Sequence, residues 1–360
     1  MKKIPVGILG ATGMVGQQYV GLLFHHPWFT IGFLASSELS AGKTYEEAVA
    51  GRWQSKTPIP KEIASMPVYR MDDVQKAKTS CAFVFSCVSS DVAQLYEERY
   101  AKEGMPVISN ASYHRLSSDV PVLIPEVNPE HLQILPEQKK RRHWEKGFLV
   151  TKPNCSLQSY MIPLAPLHNL FTVKRLMVTT LQAASGAGYP GVSSLDLIDN
   201  VIPYIAHEEE KSEQEPLKIW GHIQEGLIVP TNKIAISAHC NRVAVVDGHL
   251  ACVSVEFEKK PSQEEILDVW THFSSTAQKL KLPSAPDSTL IYRKEIDRPQ
   301  PRQDRNAGKG MSVTVGRLRN CPVFDYRFVA LSHNTIRGAA GGGILNAELL
   351  LQQGCLEGLC

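Results

Sequence analysis

A cysteine set between Pro-Asn and Ser is where this chain first offers reactive chemistry. In TKPNCSLQSYMIPLAPL (151–167), Cys155 stands directly before a run of helical character. Unpaired amides and the dipole at a helix start favour thiolate over thiol, and a thiolate attacks acyl carbon. The ordinary reading of a single cysteine is a small buried hydrophobe, so the motif needs company before it means a nucleophile. Downstream, LQAASGAGYPG (181–191) offers Gln182 to hold an acyl oxygen, with Ser185, Gly186 and Gly188 leaving room for a ligand to come close. HCNRVAVVDGH (239–249) sets Arg242 and His249 seven apart, with a turn-forming Asp247-Gly248 pair between them. Taken singly, these two read as a surface charge and a structural histidine. A zinc reading of His239, Cys240 and His249 fails because no second ligand pair has metal-site spacing, so no metal is expected.

The second group lies at the start of the chain. GILGATGMVG (7–16) places Gly10, Gly13 and Gly16 three apart where an apolar run gives way to helical periodicity. Missing side chains there let the backbone approach a pyrophosphate at a helix N-terminus, or simply allow tight packing. The pattern departs from G-x-G-x-x-G, but its place after the first strand favours a dinucleotide, held by Gly10, Thr12, Gly13, Met14 and Val15. About 20 residues on, an NAD site would carry an acid for the ribose hydroxyl. SSELSAGK (36–43) instead offers Ser36, Ser37, Ser40 and Lys43 against Glu38 alone. Hydroxyls and a cation suit a 2′-phosphate, so NADP(H) is expected over NAD, with its nicotinamide close to Ser185 and Gly186.

These residues need elements to position them. The apolar runs 4–9, 31–36, 82–88, 105–110 and 120–128, with a helical stretch at 91–103, read as parallel strands joined by crossover helices. The basic passage PEQKKRRHWEKG (136–147) reads as a solvated surface insertion, and the domain boundary falls just after it. Strand-like runs then dominate, at 175–185, 233–246, 249–258, 311–319 and 325–332, and imply a large, partly antiparallel sheet. The glycine-rich GAAGGG (338–343) leads into a final helix. The expected architecture is α/β, a Rossmann-like dinucleotide-binding domain at 1–152, completed by 337–360, and an α+β catalytic and dimerisation domain with a large mixed sheet at 153–336.

With 360 residues the chain exceeds one typical core, and two domains imply a cleft. A formal net charge of +2 with 21% charged residues exerts no global pull toward nucleic acid or lipid, which leaves small-molecule work. Eight dispersed cysteines without CxxC spacing read as reduced thiols. No signal peptide is read in the lysine-led start, and no run nears the roughly 20 apolar residues of a membrane span, so a cytoplasmic protein is expected.

Together GATGMVG, KPNCS, LQAASGAG, EEEKSEQEPLKI (208–219), NRVAVVDGH and NTIRGAAGGG resemble the aspartate-semialdehyde dehydrogenase family, in its archaeal and fungal branch, over nearly the whole chain. The resemblance implies Cys155 as nucleophile, Gln182 as orienter of the acyl group, Arg242 as clamp on the α-carboxylate and His249 as acid/base. It further implies Glu208 and Lys211 at the amino and phosphate ends of the substrate, Arg115 as a phosphate ligand, Asn334 close to the nicotinamide, and a homodimer or homotetramer. Ala244 departs from the proline often found after Arg-Val in this branch. The implied reaction is reversible, NADP-dependent reductive dephosphorylation of L-4-aspartyl phosphate through a cysteine thioester, in biosynthesis of lysine (through diaminopimelate), threonine and methionine. The rivals are another acyl-phosphate reductase, such as one acting on N-acetyl-γ-glutamyl phosphate, and a non-catalytic NADP-binding sensor.

Overall fold

The computed structural model describes residues 3–55 and 57–356, so Cys360 and the end of the expected 337–360 segment lie outside the described residues. Six short strands form the first sheet: β1 (Ile4–Leu9), β2 (Phe29–Ser36), β3 (Val68–Arg70), β4 (Phe83–Ser86), β5 (Val107–Ser109) and β6 (Leu149–Thr151). All pair in parallel, in the order β3-β2-β1-β4-β5-β6. Strands covered on both faces read as unbroken apolar runs, and β4, β5 and β6 are buried at every residue. The order reverses between β1 and β4, and at such a switch point the loops leaving the strand ends diverge into a ligand crevice.

The expected strand at 120–128 does not form. Only Val122 bridges Thr151. Asn128 takes over the backbone there, accepting from the Ile124 amide at 2.9 Å and donating to the Val122 carbonyl at 2.9 Å. A side chain that satisfies these groups locally removes the need for a neighbouring strand. The basic passage keeps Lys140, Arg141, Glu145 and Lys146 exposed, as a surface stretch should, but it is also tied into the fold. It forms a helix, Leu135–Arg142, whose buried Gln138 bonds both backbone groups of Leu149 at 2.8 and 3.0 Å. Arg142 pairs with Asp119 through both carboxylate oxygens and with Glu98 at 2.7 Å. Charge in this run thus anchors the helix beside β6.

The remaining strands are β7 (Val173–Ala183), the hairpin β8 (His222–Gln224) and β9 (Leu227–Val229), then β10 (Ala235–Val243), β11 (His249–Phe257), β12 (Leu290–Arg293), β13 (Val313–Asn320) and β14 (Tyr326–Ser332). The second sheet runs β10-β7-β11-β14-β13-β12 and is mixed: β10 is parallel to β7 and β12 to β13, the other pairs antiparallel. Burial alternates along β11, as expected of a strand with one face in a core. That core is completed by the helix Leu157–Phe171, which contributes Leu157, Tyr160, Met161, Ile162, Leu164 and Leu167.

After β14 the chain turns through a π-helical segment, Ile336–Ala340, into the helix Gly341–Gln352. Ile344, Leu345, Leu349 and Leu350 of that helix pack with Val6, Ile8, Tyr19 and Phe85 of the first half. Its glycines are required by close approach: a Cβ on Gly343 would lie 1.8 Å from the Tyr19 hydroxyl, and one on Gly338 would lie 2.8 Å from the Cys155 Cβ. No helix among the described residues is long and apolar enough to cross a membrane.

Candidate active site

Cys155 lies on the loop that carries the chain from β6 to the helix Leu157–Phe171. Asn154 holds this loop. Its Oδ1 accepts from the Ser156 amide at 2.9 Å and the Ser156 hydroxyl at 2.8 Å, and its Nδ2 donates to Glu208 Oε1 at 2.7 Å. The helix Glu208–Ile219 supplies a second carboxylate two turns on, since the Asn154 amide donates to Glu215 Oε2 at 2.7 Å. Residues seven apart share a helix face, so Glu208 and Glu215 reach the loop together. Glu215 also receives Arg115 Nη1 at 2.8 Å, while Arg115 Nη2 donates to the Asn110 carbonyl at 2.7 Å. Glu215 was legible only as the residue seven beyond Glu208.

Glu208, among three successive glutamates, is the one turned to this loop. Its Oε2 accepts from Gln182 Nε2 at 3.0 Å and its Oε1 from Lys211 Nζ at 3.1 Å. Glu209 instead caps the Cys240 amide at 3.0 Å. Gln182 and Arg242 are register partners across β7 and β10. Arg242 is buried, with Nη1 donating to the Ala183 carbonyl at 2.7 Å. His249 opens β11 on the other side of β7, fully buried, and its Nδ1 accepts from the Ala183 amide at 3.0 Å. The two meet over Gly186, where an added Cβ would come 2.7 Å from Arg242 Nη1 and 3.1 Å from His249 Nε2. Asn334 ties the rim, donating to Ser185 Oγ at 2.7 Å and accepting from the Gly248 amide at 2.8 Å.

This bond decides the state of His249. A nitrogen that accepts from an amide carries no proton, so the ring is neutral with its hydrogen on Nε2, and an imidazolium would oppose two donors at Nδ1. Burial, with Arg242 and His333 beside it, pushes the imidazole down to about 3. Nε2 has no hydrogen-bond partner among the described residues. The thiol departs from expectation. Burial pushes Cys155 up to about 11, with Glu208 adding to it, and Lys152, Arg115 and Arg242 only partly offset this. Cys155 keeps partial exposure, and the protein packed around it outweighs the helix dipole and favours the thiol form.

The crevice at the end of β1 is also built. Gly10 has φ +77°, and a Cβ there would lie 3.0 Å from the Cys87 carbonyl oxygen at the end of β4; one on Gly16 would lie 2.4 Å from the Gly10 oxygen. Gly13 begins the helix Met14–Phe24 without a capping side chain, which leaves the first-turn amides at Met14 and Val15 for an anion. Thr12 and Ser36 share a buried hydroxyl pair at 2.6 Å. Ser37 is exposed, Ser40 is buried, and Glu38 pairs with Arg70 at 2.8 Å. Arg52, which sequence reasoning passed over, sets Nη2 3.4 Å from Ser40 Oγ. The glycine cradle and these hydroxyls fit a phosphorylated dinucleotide.

Comparison with known proteins agrees with this arrangement. A model of the semialdehyde dehydrogenase NAD binding domain matches residues 5–135, and one of the semialdehyde dehydrogenase dimerisation domain matches residues 164–337. An aspartate-semialdehyde dehydrogenase of Archaeoglobus fulgidus is 46% identical over 97% of this chain and 98% of its own length. The chain belongs to the aspartate-semialdehyde dehydrogenase family. Family membership makes it an oxidoreductase with an NAD(P)-binding Rossmann domain. The aspartate-semialdehyde dehydrogenase of Candida albicans, solved with NADP, superposes with a TM-score of 0.90 at 39% identity, covering 98% of this chain and all of that one. A malonyl CoA reductase (NADP) of Metallosphaera sedula is 41% identical over 99% of both chains.

Proposed function

We propose that this chain carries out reversible, NADP-dependent reductive dephosphorylation of L-4-aspartyl phosphate to L-aspartate 4-semialdehyde and phosphate, in biosynthesis of the aspartate-derived amino acids. The observation that carries the reading is the convergence of Gln182, Glu208, Arg242 and His249, from three strands and a helix, around the Cys155 loop. NADPH, held by Gly10, Thr12, Gly13, Met14, Val15, Ser36, Ser37 and Ser40 with Ser185, Gly186 and Asn334 at its nicotinamide end, supplies the hydride. Cys155, as thiolate, attacks the acyl carbon; the carbon–oxygen bond to phosphate breaks and a thioester forms. Gln182 orients the acyl group. Arg242 meets the α-carboxylate with two parallel donors, and Glu208 offers a carboxylate to the amino group. Arg115 and Lys211 supply positive charge to the phosphate. His249 Nε2–H donates to the acyl oxygen as negative charge builds on it, and the alkoxide then expels the thiolate to leave the aldehyde.

This reading assigns 1–152 with 337–360 to cofactor binding and 153–336 to catalysis and dimerisation. It includes a cytoplasmic location and a homodimer or homotetramer, supported by the match to a dimerisation domain and by exposed Leu195, Ile198, Val201 and Tyr204. The test is phosphate-dependent reduction of NADP by the purified protein with L-aspartate semialdehyde. Activity there, abolished in Cys155→Ser, is the expected result. Oxidation of NADPH with malonyl-CoA and none with aspartyl phosphate would replace this substrate with the thioester that the Metallosphaera relative is named for.

A further inference from the structure

Beside the Cys155 loop runs a second loop, 110–120, which carries Arg115, and three of its carbonyls converge on one buried lysine. Lys218 lies three residues beyond Glu215 on the helix Glu208–Ile219 and is 2% exposed. Its Nζ donates at 2.6 Å to the carbonyls of Arg115, Ser117 and Val120. Only the ammonium form has a hydrogen for each. Burial pushes Lys218 down to about 7, with Asp119 and Glu215 pulling the other way, and the three acceptors likewise favour the charged form. Both acids are committed elsewhere, Asp119 to Arg142 and Glu215 to Arg115 and the Asn154 amide. Carbonyls aimed at one place repel one another, so the segment 115–120 closes only around a cation.

The consequence falls on Arg115. Its guanidinium is held by Glu215 and by the Asn110 carbonyl, which leaves other donors of the fork for an anion, and its Nε has no hydrogen-bond partner among the described residues. Where those donors point depends on where the main chain at Arg115 sits relative to Glu215. Lys218 fixes that distance, because residues three apart on a helix are neighbours and both reach this arginine. Glu215 takes the guanidinium, and Lys218 takes the carbonyl of the same residue. We propose that Lys218 is a positioning residue for the phosphate subsite, holding the Arg115 main chain so that its guanidinium is aimed before phosphate arrives. The role rests on Arg115 being the phosphate ligand. Lys218 acts through Arg115 and meets no substrate itself. All three of its acceptors lie within 115–120 and none on the Cys155 loop or on the strands that carry Gln182, Arg242 and His249, so its influence is confined to the phosphate end.

Inorganic phosphate, titrated against the full chain in two assays, tests this role. It serves as co-substrate for NADP reduction with saturating L-aspartate semialdehyde, and as a ligand that raises the melting temperature in the presence of NADP. Lys218→Met takes the cation from among the three carbonyls and should raise half-saturating phosphate about tenfold or more in both assays, because an arginine that must be ordered on binding loses affinity. The KM values for L-aspartate semialdehyde and NADP should change by less than about twofold. A residue needed for folding alone would lower the melting temperature and leave all three constants of the folded protein unchanged. Lys218→Gln keeps an amide donor on a shorter side chain and should fall between Lys218→Met and wild type. Wild-type phosphate constants in either folded variant, or an equal rise in all three constants, overturn the proposal. So does failure of both variants to fold, which would make Lys218 a residue of the fold alone. A wild type that phosphate stabilises through Lys218, but that is inactive with L-aspartate semialdehyde, would refute the substrate and leave the positioning role standing. A wild type that phosphate neither serves nor stabilises would overturn both.

Discussion

At the scale of single residues, partners fix what each group can do. Arg242 is buried and, among the described residues, its side chain is bonded to one carbonyl, which leaves the rest of its fork for a carboxylate. Arg242→Lys keeps the charge and loses the fork, and should lower kcat/KM by about tenfold or more, at 1.4 kcal/mol per decade. A surface charge would leave it unchanged. His249→Asn removes the donor to the acyl oxygen, and kcat should fall by about a hundredfold with KM held, as for loss of one oxyanion donor. Because burial holds His249 near 3, its removal should not reshape the pH profile between pH 6 and 8. A variant in which a limb near pH 6.5 vanishes would show that His249 titrates during turnover. At the cofactor end Arg52 approaches Ser40, so Arg52→Ala should raise the apparent constant for NADP severalfold and leave that for NAD nearly unchanged. Equal effects on the two would show that Arg52 does not read a 2′-phosphate.

Elements act by bringing backbones close. The glycine-rich turn after β14 lies against the nucleophile loop, and Gly338 leaves no space for a methyl group: its Cβ would meet the Cys155 Cβ at 2.8 Å and the Cys155 carbonyl oxygen at 3.2 Å. Gly338→Ala should displace the thiol by a few tenths of an ångström to an ångström and cost up to a hundredfold in kcat, with the melting temperature far less affected. Wild-type turnover in that variant would show that the loop tolerates the shift. The face of the helix Glu208–Ile219 works in the same way, since Glu208 and Glu215 grip the two ends of Asn154.

At the scale of the whole molecule, buried neutral imidazoles set the response to acid. Burial pushes His114 down to about 4 and His249 to about 3, and lowers His131. Each therefore takes a proton in the unfolded chain near 6.5, well before the native protein does. Their contribution to stability is complete above about pH 6.5 and is lost as pH falls toward 4 and 3. Buried Glu97, pushed up, works with the opposite sign, one carboxyl against four imidazoles, since burial lowers His168 as well. The melting temperature should fall steadily from pH 6.5 to pH 4, and His114→Asn should flatten that slope. A flat profile would mean that these rings are accessible to protons in the native state.

Much of this protein is legible in its residues alone. The β1 turn with Gly10 and Gly16, the apolar runs of the parallel sheet, the alternating runs of the second sheet and the Asn-Cys-Ser loop are local patterns, imposed by steric demands within a few positions. Tertiary structure decided what depends on distant partners. The run at 120–128 has strand composition, but only Pro121 and Leu123 bond Thr151, and the side chain of Asn128 takes the Val122 carbonyl and the Ile124 amide. His249 is a neutral donor because an amide 66 residues away occupies Nδ1, and the protein packed around the part-exposed Cys155 favours its thiol form. Glu215 lies within the EEEKSEQEPLKI run, but only the reach of one helix face across two turns shows that it joins Glu208 at the nucleophile loop. Protonation and pairing are properties of an environment, and only folding assembles that environment from residues that are not neighbours in the chain.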